Sequence, residues 1–541
     1  MKAARVSNHT VAPGATRALP RALAGLLKAR AYPHPVGAIS VIETPISWVV
    51  LAGEFAYKIK RPVRYPFIDQ RSAELRKWLC EEELRLNRRF APELYLGVCP
   101  IVAAGSSARV HLGPAGTERV IEYAVRMRRF AAADVLDRQL ADDRLAPGAL
   151  EAFGRTLADI HATLPSVTLD APWGQPESVG ALLTGNLLEC AAAADEFGGR
   201  RSVLALREPL ERRLAQASPW MAIRRMTARV RECHGDLHCR NIVVREGRLV
   251  AFDCLEYEPA FRWIDVADEI AFLLSDLASR GHAAHAHAFL GAYLERSGDY
   301  HACRLIKLYE AHRALVRAKV AAFAAALHRD GAERQTLREE YERLVAHASA
   351  ALAVRHPRLV LMSGLSGSGK TWMARELARI VGAVHLRSDL ERKRRAGLTA
   401  LERSDSGLAV GLYAAEVSER VYDDLAREAY DGLTGGYTVI VDATLLRRED
   451  RRRFGELGAR AQAPTFLVRC TAPLEVLRER LQARAAAGHD ASEATVSVLE
   501  WQRGRIEPIG VDEPFEAIEI ESTDPRAIEK VLARLGRSAP A

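Results

Sequence analysis

Two short segments of this 541-residue chain hold the residue types and spacings that handle phosphate. Gly364-Leu-Ser-Gly-Ser-Gly-Lys-Thr371 fits G-x-x-x-x-G-K-[ST] and lies between an apolar run and a helical pattern. Gly364, Gly367 and Gly369 let the backbone N–H groups, those of Ser366 and Ser368 included, turn toward phosphate. The following helix presents its positive end, Lys370 reaches the outer phosphates, and Thr371 can hold Mg²⁺. Only ten of the chain's 77 basic residues are lysines, so the lysine in this loop is a specific choice. A compact ammonium and a planar guanidinium are not interchangeable there. Further on, Asp442 ends the apolar run Val439-Ile-Val-Asp442, where an acid can steer a Mg²⁺ shell or cap the next helix. Asp389, in Arg387-Ser-Asp389, can take a proton from a substrate hydroxyl or serve as a cap. Arg478, Arg480 and Arg484 share a helical pattern ahead of Ala485-Ala-Ala-Gly-His489. That composition suits a lid bringing positive charge onto a transferring phosphoryl group, or a solvated basic face.

The second segment is His234-Gly-Asp-Leu-His-Cys-Arg-Asn241, with Val250-Ala-Phe-Asp253 after it. In phosphoryl transfer by kinase-type enzymes, a carboxylate five residues ahead of an amide takes the acceptor's proton, while the amide and a later carboxylate hold Mg²⁺. Those positions are Asp236, Asn241 and Asp253 here. A rival reading takes Cys233, His234, His238, Cys239 and Cys254 as zinc ligands, but no paired C-x-x-C spacing frames them. The kinase chemistry also needs an early strand lysine with a helix glutamate as its partner. Ala56-Tyr-Lys-Ile-Lys60 offers two lysines on one strand face, and its match to V-A-I-K favours Lys58. Glu82 and Glu83 both fall on the inward stripe of the helix near Leu75–Phe90, and either can be the partner.

These residues require particular elements to position them. Ile46–Leu51 and Phe55–Ile59 read as a hairpin, followed by the helix near 75–90 and strands near Val98–Val102, Ala108–Leu112 and Val120–Met127. Helical periodicity runs over 147–165 and on to about 224; paired short strands fit 233–253, and Ala-rich helices fit 264–351. From Pro357 the pattern changes to α/β alternation, with buried strands at Leu359–Met362, Ala383–Leu386, Tyr437–Val441 and Thr465–Arg469, the rhythm of a parallel sheet with crossover helices. Two domains are therefore expected. Residues 1–350 form an α+β, bilobal domain with a small lobe over about 30–130 and a helical lobe over about 131–350; residues 357–541 form an α/β domain.

Composition narrows the classes further. At 48% hydrophobic and 27% charged residues, the chain has the make-up of a globular protein with material for more than one core. No stretch approaches the ~18 consecutive apolar residues that cross a bilayer, so no membrane role is expected. Eight cysteines without framework spacing suit reduced thiols in a cytoplasm. The net charge of +8 hints at nucleic acid, yet residues 357–541 hold 28 basic and 28 acidic side chains. That balance argues against a polynucleotide substrate, because basic residues supply much of such affinity. The first 42 residues carry six basic side chains and no acid. Leu23, Leu26 and Leu27 predict a short amphipathic helix around Arg21–Arg30, docked on the domain behind it and not a transit peptide. The sequence sets no oligomeric state.

The C-terminal half resembles the P-loop small kinases that include the 5′-hydroxyl end of polynucleotide kinase, gluconate kinase and zeta toxins. The phosphate loop, Arg387-Ser-Asp389, Val441-Asp-Ala-Thr444 and Arg480–Arg484 follow in order. That resemblance implies Asp389 as the hydroxyl-activating base and Arg484 as a lid arginine. The N-terminal half resembles the aminoglycoside phosphotransferase family, a branch of the protein-kinase-like fold, through its H-G-D-L-x-x-x-N loop and following Asp. Asp265 and Asp268 fall where that family has a further structural aspartate. From about Leu23 to Arg537 the chain is similar to bacterial bifunctional aminoglycoside phosphotransferase/ATP-binding proteins. It departs in having Glu43-Thr-Pro-Ile-Ser47 where a G-x-G-x-x-G clamp would cover the phosphates. The resemblance implies ATP and Mg²⁺ at two sites that move a γ-phosphoryl group to hydroxyls of small molecules. The competing expectations are a nucleotide-gated regulatory protein that binds ATP without transfer, and a nucleic-acid end kinase in the C-terminal half.

Overall fold

The computed structural model describes residues 19–65, 68–105, 107–112, 116–326, 331–402, 414–487 and 492–536. They form two compact units. One holds the described residues up to Ala149, with Ile160–Ser279 and Tyr309–Ala350; the other holds Leu150–Asp159, Arg280–Leu308 and the described residues from Ala351.

In the first unit, six antiparallel strands stand in the order Ile39–Glu43, Ser47–Ala52, Phe55–Lys60, Val120–Arg128, Tyr95–Ala104 and Ser107–Val110. Ala52 pairs with Phe55 across a two-residue turn whose Gly53 has φ +61°, so this hairpin is one residue tighter than the three-residue connection expected between Leu51 and Phe55. Strand alternation sends Tyr57 and Ile59 to one face and Lys58 and Lys60 to the other. On the first face, Tyr57 and Ile59 join Trp48, Val50, Ile101 and Ala124 in an apolar core closed by Leu19, Leu23, Leu26 and Tyr32. This N-terminal strap differs from the expected α-helix. It is a 3₁₀ helix over Arg21–Leu27 and a second, one-turn 3₁₀ helix over Ala29–Ala31, so Leu23 and Leu26 are buried while Leu27 is 46% exposed. Three residues per turn align 23 with 26, and 27 drifts off the stripe. Lys2, Arg5 and Arg17 of the basic arm lie outside the described residues.

The opposite sheet face receives the helix Ala73–Asn87, capped by Ser72, whose hydroxyl accepts from Leu75 N–H at 3.2 Å. Beyond the helices that follow, the hairpin Ile242–Arg245 with Arg248–Ala251 and the pair Val230–Glu232 with Trp263–Asp265 frame the second motif. The helix Val266–Ser279, the part of Cys303–Ala325 from Tyr309 onward and the helix Ala332–Leu352 as far as Ala350 supply the helical lobe.

The second unit is built on five parallel strands in the order Val384–Arg387, Val439–Asp442, Leu359–Ser363, Thr465–Thr471 and Glu516–Glu521. The two-domain α+β then α/β architecture is thus present, and the parallel sheet gains an edge strand, Glu516–Glu521, outside the expected four. Among the described residues no helix is long and apolar enough to cross a membrane.

Candidate active sites

In the first unit, Lys58 reaches from the strand to the helix and to the end of the hairpin. Its Nζ donates to Glu83 Oε1 at 2.8 Å and to Asp253 Oδ1. Burial alone would depress this ammonium, but Asp253 and Glu83 outweigh it and hold the pKa well above the ordinary lysine value. The same two cations, Lys58 and Lys60, overcome the burial of Glu83 and pull its carboxyl down to about 2. Lys60 is fully buried and donates to the other oxygen of Glu83 and to Glu256. The two lysines left open by periodicity therefore share one glutamate, and Lys58 is the one that meets Asp253. Glu82 is not brought to Lys58: its carboxylate pairs with Arg85 at 2.7 Å and Arg262 at 2.8 Å. Neighbouring helix residues project about 100° apart, so only one of the two glutamates can face the strand.

Asp236, Asn241 and Asp253 come together through the hairpin. Ile242 pairs with Ala251, and Phe252 N–H donates to Asn241 C=O at 2.9 Å, which brings Asn241 beside the chain leading into Asp253. Asn241 Nδ2 donates to Asp236 Oδ2 at 2.9 Å and to its carbonyl at 3.0 Å. Fixing Nδ2 this way turns Oδ1 into an oxygen donor, and Asp253 has Oδ2 left over beside the oxygen that Lys58 takes. Two hard oxygen donors fit Mg²⁺, which binds through few protein ligands. Asp253 adopts φ +67°, and its N–H donates to Tyr95 Oη at 3.0 Å. Burial would raise the Asp236 carboxyl, but His238, with Nε2 at 3.5 Å, then His234 and Arg317, drive it far below the ordinary range. Asp236 is held ionised and can accept a proton.

His234 and Glu269 hold the backbone of this loop. His234 donates through Nε2 to Phe252 C=O at 2.8 Å, leaving Nδ1 to accept from Asp236 N–H at 3.3 Å. Burial pushes this imidazole down to about 4. Glu269 accepts from His234 N–H at 2.7 Å and Gly235 N–H at 3.0 Å, and burial raises its carboxyl to about 7. Sequence reasoning missed Glu269. The aspartates it named on that segment do other work: Asp265 is clasped by Arg224 and Asp268 by Arg313, each through two hydrogen bonds. The five residues of the zinc reading are not gathered. The one His/Cys/carboxylate cluster among the described residues is His161, Cys233 and Glu269.

In the second unit, the loop from Gly364 joins the central strand Leu359–Ser363 to the helix Lys370–Val381. Gly364 has φ +136°, and a Cβ there would come within 2.3 Å of Cys470 C=O. The glycine is therefore a steric necessity. Lys370 is buried, and its Nζ donates to Leu365 C=O at 2.8 Å. Burial lowers its pKa, with Asp442 opposing. Asp442 ends the neighbouring strand, registered against Met362, and accepts from His385 Nε2 at 3.3 Å. Burial would raise its carboxyl, but the His385 bond and the Lys370 charge keep it below its ordinary value. The Ser368 hydroxyl is buried without a hydrogen-bond partner among the described residues, a polar atom that a phosphate oxygen can satisfy.

Asp389 lies half-buried in the first turn of the helix Ser388–Arg395, and Thr371 in the first turn after the loop. Both Asp389 and Arg484 are close enough to Lys370 to act on its charge. Arg484, on the helix Leu474–Ala487, donates to Ala494 C=O at 3.2 Å. Arg480 touches the loop itself, donating to Gly367 C=O at 3.3 Å and Ser522 Oγ at 2.8 Å, whereas Arg478 pairs with Glu500 in the open. Gly488 and His489 of the expected lid lie outside the described residues. His385 and Gln502, which accepts from Ser366 N–H, carry no sequence signal that singled them out.

Comparison with known proteins gives each of the two motifs its own family match. The Phosphotransferase enzyme family profile matches residues 71–306, and an AAA domain profile matches residues 359–509. Uncharacterized protein Rv2004c of Mycobacterium tuberculosis (strain ATCC 25618 / H37Rv) is 30% identical over 487 residues, which span 88% of this chain and 94% of that protein. Uncharacterized protein Mb2027c of Mycobacterium bovis matches to the same extent. Among solved structures, a choline/ethanolamine kinase family protein from Mesorhizobium loti aligns at 16% identity over 58% of this chain and 92% of its own, with a TM-score of 0.31. A gluconokinase from Sinorhizobium meliloti aligns at 19% identity over 34% of this chain and 94% of its own, with a TM-score of 0.24. The chain therefore belongs to the family of these mycobacterial proteins; within it a phosphotransferase enzyme domain precedes an AAA-type P-loop domain, and it is an ATP-dependent kinase or phosphotransferase.

Proposed function

We propose that each unit is a separate phosphotransferase that moves the γ-phosphoryl group of ATP onto a hydroxyl of a small molecule. The observation that carries this is the first-unit constellation, in which one buried ammonium, Lys58, is held between Glu83 and Asp253 while Asn241 ties Asp253's neighbour to Asp236. Lys58 would leave Asp253 for the nucleotide phosphates, with Glu83 keeping it charged and oriented. Asp236 takes the acceptor's hydroxyl proton as its oxygen bonds to the γ-phosphorus and ADP departs. Asn241 and Asp253 would hold Mg²⁺, which when bound neutralises the triphosphate charge.

In the second unit Lys370 exchanges the Leu365 carbonyl for the outer phosphates. Gly364, Ser366, Gly367, Ser368 and Gly369 line their path, Thr371 and Asp442 would hold Mg²⁺, Asp389 is the base, and Arg484 supplies lid charge. All eight cysteines are buried and none is in a disulfide, which supports a reducing, cytoplasmic setting. Equilibrium titration with a non-hydrolysable Mg·ATP analogue tests the reading. Two nucleotides per chain are expected, one lost in Asp253→Asn and the other in Lys370→Ala; a stoichiometry of one that neither variant changes would refute it.

A further inference from the structure

Three successive residues of the second phosphate loop are gripped by the two helices that follow the strand Thr465–Thr471. Leu365 packs its side chain into a small apolar core with Leu477, Leu481 and Leu499. Ser366 N–H donates to Gln502 Oε1 at 2.8 Å. Gly367 C=O accepts from Arg480 Nη1 at 3.3 Å, and a Cβ on Gly367 would sit 2.9 Å from Leu477 C=O. Gln502, 7% exposed on the helix Val496–Arg503, supplies the acceptor for a backbone donor that is itself buried. A buried N–H without an acceptor disfavours the conformation that buries it, so this one amide bears on whether the loop keeps its shape when no phosphate is present.

We propose that Gln502 is a positioning residue of the second nucleotide site: it fixes the Ser366 peptide so that the loop is already in its phosphate-receiving form before nucleotide arrives. This rests on the reading of the loop as a nucleotide site. A loop that is competent only part of the time binds with an apparent affinity reduced by that fraction, and Gln502 keeps the fraction high. The residue type follows from the same logic. A carboxylate at this position would accept the same hydrogen bond, yet would set a negative charge beside the place a triphosphate occupies.

The test uses the full chain carrying Asp253→Asn, so that the first site is silent, titrated with Mg·ADP at 25 °C. Gln502→Met, of similar length and without an acceptor, is expected to weaken Lys370-dependent binding at least tenfold and to speed hydrogen exchange at Ser366 N–H. A merely structural residue would lower the thermal midpoint of the nucleotide-free protein and leave that affinity unmoved. Gln502→Glu keeps the bond and adds charge, so its deficit is expected to shrink as salt rises. Binding by Gln502→Met within twofold of its parent, with Lys370→Ala abolishing binding, would overturn the positioning role and leave the nucleotide site standing. A parent that shows no Lys370-dependent binding would overturn both. If Gln502→Met does not fold, Gln502→Asn, whose amide is one methylene shorter, decides: weaker Lys370-dependent binding with faster exchange at Ser366 N–H supports the role, and parent-like affinity overturns it.

Discussion

Lys60 is the residue whose behaviour separates packing from chemistry at the first site. It is fully buried and neutralises one oxygen of Glu83 and one of Glu256, so Lys60→Met strips Glu256 of this cation and leaves Glu83 with Lys58, which Asp253 already shares. Removing one partner of a buried pair costs about 3–5 kcal/mol. A loss of that size in the urea unfolding of the first unit is expected for Lys60→Met, and the double variant Lys60→Met/Glu256→Gln is expected to recover part of it. His234 and Glu269 give opposed dependences on pH. The imidazole's pKa falls from 6.5 to about 4 on folding, so its contribution, roughly 3 kcal/mol, is present above 6.5 and lost as the pH drops toward 4. The Glu269 carboxyl rises from 4.5 to about 7, so its contribution, of similar size, is present below 4.5 and lost as the pH climbs through 7. Between pH 4.5 and 6.5 the two slopes oppose each other. Glu269→Gln is expected to steepen the loss of thermal stability on acidification in that window, and His234→Gln to steepen the loss on the alkaline side; variants that both keep the parent's slope would contradict this. At this scale Asp236, Asn241 and Asp253 were readable because their spacing is local. Glu269 was not, since it acts on backbone N–H groups 35 and 34 residues away in sequence, and no spacing rule joins them. The choice between Glu82 and Glu83 needed the helix's rotation about its axis, which an inward stripe two residues wide leaves undefined.

Among the elements, the N-terminal strap and the edge strand Glu516–Glu521 show where periodicity succeeds and where it fails. The strap was recognised from its leucines, and its docking closes the apolar face of the six-stranded sheet. Leu26 is fully buried there, so Leu26→Ala is expected to destabilise the first unit by about 3 kcal/mol, within the range for large-to-small core changes, as read by the denaturation midpoint. A change below about 1 kcal/mol would mean the strap is not part of that core. The edge strand escaped notice because only one face is apolar: Ile518 and Ile520 point inward while Glu516, Glu519 and Glu521 are exposed. A search for continuous apolar runs finds central parallel strands and passes over a half-solvated one. The pairs Val230–Glu232 and Trp263–Asp265 are three residues each, too short for any period to register.

On the scale of the whole molecule, the P-loop unit takes in two earlier segments, Leu150–Asp159 and Arg280–Leu308, besides the described residues from Ala351. Arg280–Leu308 belongs with the P-loop unit although the phosphotransferase family match runs to residue 306. Arg304 donates to Asp431 at 2.5 Å, and Cys303 C=O would lie 2.2 Å from a Cβ on Gly435. A change in sequence pattern at Pro357 reveals where the parallel sheet begins, but not which earlier helices complete its core, because that information lies in tertiary contacts alone. Arg304→Met is therefore expected to lower the thermal midpoint of the P-loop unit and to leave that of the first unit in place; the reverse pattern would contradict the division.

The claim that two catalytic centres share this chain is tested most directly with γ-labelled ATP and a panel of hydroxyl-bearing metabolites. The account predicts that Asp236→Asn removes one set of labelled organic products, Lys370→Ala removes another, and the double variant labels nothing. Full phosphoryl transfer by the double variant would contradict it.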